Sequence, residues 1–265
     1  MANNTIIYES AKKLNSEWIN KNATSHEFAN GKGKIVLKNG VTTIETKAMG
    51  WCHELKSITF STSITEFGYY AFIGSNKLTT ITIPASVKKI HSTAFCDCEN
   101  LTSIIVAKEN PIYDSRNNCN AIIETKTNKL IKGCPNTIIP DSVTEINDCA
   151  FSRCKNLTSI LIPNTITKIG RYAFNECKNL TSITIPKSVT KINDFTFTNC
   201  NNLNSITLPD SITEIGLGAF AGCTNLASIS IPDSITKIDN GAFSYCIKLP
   251  KETIDKIRKL NETIK

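Results

Sequence analysis

Residues 157–179 read LTSILIPNTITKIGRYAFNECKN, and the chain repeats this unit with little change as far as residue 248. Four units of 23 residues follow one another directly: 157–179, 180–202, 203–225 and 226–248. All share Leu-x-Ser-Ile-x-(Ile/Leu)-Pro, then (Ser/Thr)-(Ile/Val)-Thr-(Lys/Glu)-Ile, then (Ala/Thr)-Phe-x-x-Cys. A fixed period of this length indicates a solenoid, in which each unit buries its apolar face against its neighbours.

Each unit contains the alternation Ser-Ile-x-Ile, which predicts a short β-strand with inward-facing isoleucines. Proline follows the strand and ends it, because proline cannot donate a ladder hydrogen bond. Repetition should align the strands into a parallel sheet, with about nine strands centred on residues 36, 58, 81, 104, 138, 160, 183, 206 and 229. The (Ala/Thr)-Phe segment is expected to form a tight helical turn on the opposite wall, with a stacked internal spine of phenylalanines: Phe95, Phe151, Phe174, Phe197, Phe220 and Phe243.

The unit that begins at Leu101 is longer than the others, because 33 residues pass before the register resumes at Cys134. The extra segment covers about residues 107–133 and lacks the Ala-Phe-x-x-Cys sequence. Within it, two β-prone runs, 121–124 and 129–132, flank a polar turn. This arrangement predicts a β-hairpin insert.

Outside residues 35–249 the pattern is that of amphipathic helices. Residues 5–21 place apolar side chains at intervals of four, three and four: Ile7, Ala11, Leu14 and Trp18. Pro250 opens a second such stretch, with apolar side chains at Ile254, Ile257, Leu260 and Ile264. Because solenoids need atypical end units, we expect an N-terminal helical cap over residues 1–34 and a C-terminal capping helix over residues 250–265.

Seven of the eleven cysteines occupy one position of the repeat: Cys52, Cys98, Cys154, Cys177, Cys200, Cys223 and Cys246. Equivalent side chains of stacked units point the same way, whereas a disulfide needs converging Cβ vectors. We therefore predict a ladder of buried, reduced thiols that behave as small hydrophobic groups. Free thiols favour a reducing environment.

The first half of the unit, Leu-x-x-Ile-x-Ile, resembles the start of the leucine-rich repeat. Proline after the strand, Ser or Thr at positions such as Thr165 and Ser188, and the closing Ala-Phe-x-x-Cys together resemble the BspA-like leucine-rich repeat family. The resemblance covers residues 35–249. It implies a right-handed coil with a parallel sheet face and short helical turns opposite. It also implies an adhesin-type surface protein that binds host or microbial proteins and has no catalytic residues.

Composition and charge argue against several other classes of protein. The net charge of +7 is spread along the chain, whereas nucleic-acid binding normally needs a clustered basic face. No apolar run is long enough to span a membrane. The first twenty residues contain no signal-peptide pattern. We therefore expect a soluble, unexported, monomeric protein, so that an intracellular protein–protein interaction scaffold is the alternative to a surface adhesin.

The outward strand positions contain no group suited to catalysis. One row reads Ser57, Thr80, Ser103, Asn136, Ser159, Ser182, Ser205 and Ser228, and the next reads Thr59, Thr82, Ile105, Ile138, Leu161, Thr184, Thr207 and Ser230. Neither row offers an acid, a base or a thiol. His91, Cys96 and Cys98 form the only grouping that suggests a metal, but zinc spacing is lacking. We expect no enzyme activity, no metal and no cofactor.

The second outward row contains the candidate binding site. Ile105, Ile138 and Leu161 are equivalent positions that should form a contiguous apolar patch, with Thr82 and Thr184 beside it. Apolar side chains on a polar face are candidate interface anchors for a protein ligand. Two alternatives remain for the patch: the insert or the N-terminal segment folds over it, or three aliphatic side chains are simply tolerated there. A regular threonine array could order water as in ice-binding solenoids, but the apolar interruption argues against it.

Overall fold

The computed structural model describes residues 4–263 and shows a β-solenoid of about nine coils. Two α-helices are present in this range, α1 (Glu17–Asn22) and α2 (Lys251–Thr263), together with a short 3-10 helix at Arg116–Asn118. In chain order the strands are β1 Thr5–Ser10, β2 Ala23–Ala29, β3 Lys32–Leu37, β4 Thr43–Ile44, β5 Leu55–Thr59, β6 Glu66–Phe67, β7 Thr80–Ile83, β8 Lys89–Ile90, β9 Ser103–Val106, β10 Tyr113–Asp114, β11 Ile122–Glu124, β12 Lys129–Lys132, β13 Glu145–Ile146, β14 Lys168–Ile169, β15 Ser182–Thr184, β16 Lys191–Ile192, β17 Ser205–Thr207, β18 Glu214–Ile215, β19 Ser228–Ile229 and β20 Lys237–Ile238.

The front wall of the solenoid consists of β5, β7 and β9 and, after a break, β15, β17 and β19. Within each group neighbouring strands pair in parallel, and residues 23 positions apart are partners, such as Ile183 and Ile206. The strands predicted at residues 58, 81, 104, 183, 206 and 229 are confirmed. Those predicted at 138 and 160 are wrong, because the described chain forms no ladder there.

A second wall comes from two-residue strands that the sequence reasoning missed. In the regular coils each is a Lys-Ile or Glu-Ile pair, and β16, β18 and β20 pair in parallel. Ile192 and Ile215 are fully buried, so this wall supplies a second layer of inward isoleucines. The coil is therefore closed by two parallel ladders rather than one.

The third wall contains the Ala-Phe segments, and they are hydrogen-bonded turns rather than the predicted helical turns. In the coil of Phe174, the turn has backbone bonds from Asn175 N to Tyr172 O and from Cys177 N to Phe174 O. Tyr172 and Glu176 have φ angles of 56° and 54°, which belong to the left-handed region and prevent a continuous helix. Phe174 N also donates to Thr196 O of the next coil, which ties successive turns together.

The phenylalanine spine is present but is divided into two stacks. From Phe151 to Phe243 the rings follow one another at 5.2–5.4 Å between centroids and are nearly parallel. The earlier stack joins Phe72 to Phe95 at 5.2 Å. The insert lies between the two stacks.

The N-terminal helix predicted over residues 5–21 is wrong over most of its length. Residues 5–10 form β1, which pairs antiparallel with β5 on one side and with β3 on the other. Thr5-Ile6-Ile7-Tyr8 is a β-branched and aromatic run that favours a strand, and Ile6 and Tyr8 are its buried, alternating positions. Only Glu17–Asn22 is helical, with Ser16 accepting a capping bond from Ile19 N at 3.2 Å.

This arrangement also changes the role of the strand predicted at residue 36. That strand, β3, lies in the order β2-β3-β1-β5, so β1 separates it from the parallel part of the front wall. An antiparallel β-sheet with one short helix therefore ends the solenoid at its N-terminal side.

At the other end, α2 begins directly after Pro250, as the sequence indicates. Ile257 is buried, and Ile254 and Leu260 pack against the last coils. Lys256 Nζ donates to Ile231 O and to Asp233 Oδ1, both at 2.7 Å. Ile264 of the predicted helix lies outside the described residues.

The predicted hairpin is confirmed, with β11 and β12 antiparallel around residues 125–128. It lies inside the solenoid rather than over its surface. Ile122 and Ile131 belong to the apolar cluster of the N-terminal coils, and Ile123 and Leu130 belong to that of the C-terminal coils. β12 then pairs in parallel with β13 and so continues the second wall. The insert is thus a layer that joins the two halves of the core.

The insert layer is thin where it meets the third wall. Adding a single methyl group there should therefore destabilise the fold. A Cβ atom at Gly133 would lie 2.2 Å from Phe151 Cε1. Because that ring is fully buried, we expect Gly133→Ala to lower the free energy of unfolding by about 1–3 kcal/mol, the usual cost of overpacking. Chemical denaturation measures the change.

Gly50→Ala is the matched control, because its added Cβ would lie 3.0 Å from Ile73 Cγ2 and 3.2 Å from Lys47 O, so the neighbours need to move by only a few tenths of an ångström. We expect it to cost less than Gly133→Ala. Equal losses for the two variants would contradict the steric explanation.

Candidate functional site

The five side chains predicted to form the binding site are all exposed on the front wall. Ile105, Ile138 and Leu161 are 49%, 76% and 84% exposed, and Thr82 and Thr184 are exposed beside them. Neither the insert nor the N-terminal strands cover the three aliphatic side chains. Exposed aliphatics of this size on a folded surface are candidates for contact with a partner.

The three aliphatic side chains do not form one unbroken row, however, and this part of the prediction is wrong. The backbone of Cys119 and Asn120 enters the front wall between β9 and residues 136–139. Ile138 N donates to Cys119 O at 3.1 Å, and Thr137 Oγ1 donates to Asn120 O at 2.8 Å. Ile105 therefore lies on one side of the insert, and Ile138 and Leu161 lie on the other.

Asn120 holds the insert against the edge of β9. Its Oδ1 accepts from Ile104 N at 2.7 Å, and its Nδ2 donates to Thr102 O at 2.9 Å. The amide side chain thus takes the place of a neighbouring strand for one residue of β9. In a parallel ladder alternate residues direct their peptide groups to opposite edges, so Val106 also directs its peptide group to this edge, beyond the reach of Asn120.

A groove of about 850 Å³ opens at this edge. Its lining includes β9 with Ile105, the following Lys108, the insert residues Asp114 and Arg116, and Asn136. The groove therefore combines an exposed strand edge, an aliphatic side chain and an ion pair. We call it the β9 groove.

Asp114 and Arg116 of the β9 groove form an ion pair, which is unsuited to proton transfer. Arg116 donates to both carboxylate oxygens of Asp114, at 2.8 and 2.7 Å, and Arg116 Nη1 also donates to Asn128. Burial raises the pKa of Asp114, but the hydrogen bonds from Arg116 outweigh it and hold that pKa below its usual value. The pair orients the insert and offers polar contacts to a ligand.

A second groove of about 440 Å³ lies beside Leu161. It is lined by residues 159–164 together with Ser182, Thr184 and Pro186 of the next coil. Residues 159–162 belong to no ladder in the described chain. The middle of the front wall is therefore the part where the sheet is interrupted, where two grooves open, and where the exposed aliphatic side chains lie. We call this region the interrupted region.

The residues considered for a metal site have other partners. His91 Nδ1 lies 2.9 Å from Thr93 Oγ1, and its ring packs on Tyr69. The Cys98 thiol is buried and donates to Phe72 O at 3.3 Å. Among residues 4–263, no three side chains of His, Cys, Asp or Glu are grouped as metal ligands.

Sequence reasoning found the exposed residues but missed Asn120, Asp114 and Arg116, which shape the β9 groove. The available signal was the polar run DSRNNCN within the long unit. Asn117, Asn118 and Asn120 all have φ between 52° and 57°, a region that asparagine tolerates better than most residues. A run of asparagines in an insert was therefore a sign of a tightly folded loop.

Two parallel ladders, a recurring leucine and a 23-residue period define the class of protein as a leucine-rich repeat solenoid. The chain belongs to the BspA-type leucine-rich repeat family, whose model matches residues 21–131 and 121–250 with six copies. No helix among the described residues has the length and apolar character needed to cross a membrane.

Solved structures agree with this assignment. A leucine-rich cell surface protein from Faecalibacterium prausnitzii is 34% identical, with a TM-score of 0.72 over 81% of this chain and 57% of that protein. The pneumococcal vaccine antigen PcpA shares the fold, with 21% identity and a TM-score of 0.64 over 78% of this chain and 60% of the antigen. This chain thus spans little more than half the length of these relatives. A search of curated proteins found no match.

Proposed function

We propose that this chain is a non-catalytic protein-binding scaffold whose partner docks at the interrupted region of the front wall. The observation that carries the proposal is that exposed Ile138 and Leu161 coincide with the break in the sheet and with two grooves. Elsewhere the outward rows contain hydroxyl side chains. Family membership supports a scaffold, since leucine-rich repeats present extended surfaces to partners.

The occupant that fits best is an extended segment of a partner protein. Because Val106 directs its peptide group to the part of the β9 edge that Asn120 does not reach, a partner strand could add its own hydrogen bonds there. Alternate side chains of such a strand would meet Ile105. Lys108 and the Asp114–Arg116 pair would contact its polar groups at the rim.

For the biological setting we propose an adhesin-type role at the cell surface. The support is the likeness to a protein described as a leucine-rich cell surface protein at 34% identity. The partner would then be a host or microbial protein. A role as an intracellular interaction scaffold is the second candidate, favoured by the eleven free thiols.

Ile138→Asp tests the docking surface directly. We expect the free energy of unfolding to change little, because the side chain is 76% exposed. Binding to the partner should weaken by about 2 kcal/mol or more, the size of a hot-spot loss, because a charge replaces an aliphatic anchor. The partner is obtained by pull-down from host matrix extract and, separately, from lysate of the source cells, and affinity is measured by calorimetry.

Ile247→Asp is the matched control, since Ile247 is 77% exposed and lies beyond the last front-wall strand. It should bind as the parent does. An equal loss of binding for both variants would show that an added negative charge weakens binding wherever it lies. That result would rule out the interrupted region as the docking surface. Capture of a specific protein only from cell lysate would favour the intracellular role over the adhesin.

A further inference from the structure

Two turns of the third wall are brought together where the insert is thin. Gly133 N of the insert coil donates to Ala150 O at 3.0 Å there, and the turn at 94–99 contacts the turn at 149–154. Ser152 Oγ donates to Asp97 Oδ1 at 3.1 Å, although these residues are 55 positions apart. Arg153 reaches Asp97 at 3.6 Å across the same contact.

Cys96 and Cys149 face each other across this contact. Their thiols form a hydrogen bond, and neither residue belongs to the repeat ladder. Cys96 is buried at 4% exposure, whereas Cys149 is only half-buried. The pair therefore combines a less buried cysteine with a more deeply buried one.

A buried lysine lies beside the pair with no hydrogen-bond partner. Lys132 is 2% exposed, and its Nζ has no partner among the described residues. The groups that act on it most strongly are thiols, in the order Cys154, Cys98, Cys96 and Cys149. An unpaired buried ammonium is costly unless a negative charge forms next to it. A thiolate in this cluster would supply that charge.

We propose that Cys96 and Cys149 are a redox-active dithiol that closes to a disulfide on reaction with a small-molecule disulfide of the glutathione class. The Cys149 thiolate attacks one sulfur of the oxidant, forms a mixed disulfide and releases one thiolate. Cys96 then attacks Cys149 Sγ, forms the protein disulfide and releases the second thiolate. The two protein thiol protons pass to the two released thiolates, so two thiols are oxidised and one small disulfide is reduced.

The environment separates the two roles. The hydrogen bond from Cys96 lowers the pKa of Cys149, and the charge of Lys132 acts in the same direction against burial. The same hydrogen bond, together with burial, raises the pKa of Cys96. Because the thiolate is the nucleophile, Cys149 attacks first and Cys96 resolves the mixed disulfide.

The disulfide would link the coil before the insert to the coil after it. Cys96 and Cys149 are 53 positions apart, and the whole insert lies between them. Closure would tie the two halves of the solenoid together at the layer that shapes the β9 groove. This inference does not depend on the proposed function, because it concerns the third wall and needs no protein partner.

The test treats the full chain with oxidised glutathione at about pH 8, followed by proteolysis and mass spectrometry without reduction. We expect one cross-linked peptide pair, joining Cys96 to Cys149, and its loss on adding dithiothreitol. Cys96→Ser should instead accumulate a stable glutathione adduct at Cys149. Cys149→Ser should leave Cys96 unmodified, and the control Cys98→Ser should cross-link as the parent does.

Lys132→Met tests the part played by the lysine, with Lys132→Gln as a second uncharged variant. We expect the cross-linking rate to fall by about tenfold, the effect of about one pKa unit on the thiolate fraction. Circular dichroism checks that each variant is folded. A glutathione adduct that persists on Cys149 in the parent, a cross-link through another cysteine, or no reaction of the folded parent would overturn the dithiol. Unchanged rates in both lysine variants would overturn the role of Lys132.

Discussion

Replacing Phe197 with alanine is expected to lower the free energy of unfolding by about 3–5 kcal/mol, the usual cost of truncating a buried phenylalanine. The ring is fully buried and stacks on Phe174 and Phe220 at 5.4 Å on each side. Truncation opens a cavity between two coils that cannot move closer, because both ladders hold them in register. Chemical denaturation followed by circular dichroism measures the loss.

Tyr245→Ala provides the control, since Tyr245 lies in an equivalent turn and is 78% exposed. It should change the free energy of unfolding by less than about 0.5 kcal/mol. Because each coil contacts only its neighbours, Phe197→Ala should also speed amide exchange most in the coils on either side. A small or evenly spread loss would mean that the spine contributes less than its burial indicates.

The period of the repeat made the front wall predictable. Ile183, Ile206 and Ile229 recur at a fixed spacing, alternate with polar residues and precede a proline, so pairing and register follow from one pattern. The second wall was missed because each of its strands has only two residues. No alternation can be recognised in Lys191–Ile192 alone. These two residues form a strand because they pair with the equivalent residues of the neighbouring coil.

The N-terminal error has a different cause. Ile7, Ala11, Leu14 and Trp18 do fit a helical interval, yet Ile6 and Tyr8 are the buried side chains. The open edge of β5 offers backbone hydrogen bonds to whatever segment precedes it, and β1 takes them. The local sequence is compatible with either a helix or a strand, and pairing with β5 stabilises the strand.

For the candidate site, the sequence predicted that the aliphatic side chains are exposed, but it did not predict that the insert separates them. The outward positions of Ile105, Ile138 and Leu161 follow from strand alternation. Their separation depends on the entry of Cys119 and Asn120 into the front wall, and no periodic pattern encodes that event. The same insert brings Cys96 towards Cys149 on the third wall, so both unpredicted features come from one interruption of the repeat.

The six buried thiols of the repeat ladder are expected to react at least about a thousandfold more slowly in the folded protein than in denaturant. Four of them donate to a phenylalanine carbonyl at 3.1 Å: Cys177, Cys200, Cys223 and Cys246. Burial raises the pKa of Cys154 to about 11 and that of Cys98 to about 12. Labelling therefore needs local or global unfolding, and the protection factor reports its free energy.

Cys52 is the internal control for this experiment. It occupies the same position of the repeat but is only half-buried, so it should label before the other six. Time-resolved labelling with an aromatic disulfide reagent, read out by peptide mass spectrometry, separates the sites. Rapid modification of most of the six in the folded protein would contradict the ladder, because a thiol packed between coils can reach the reagent only when those coils separate.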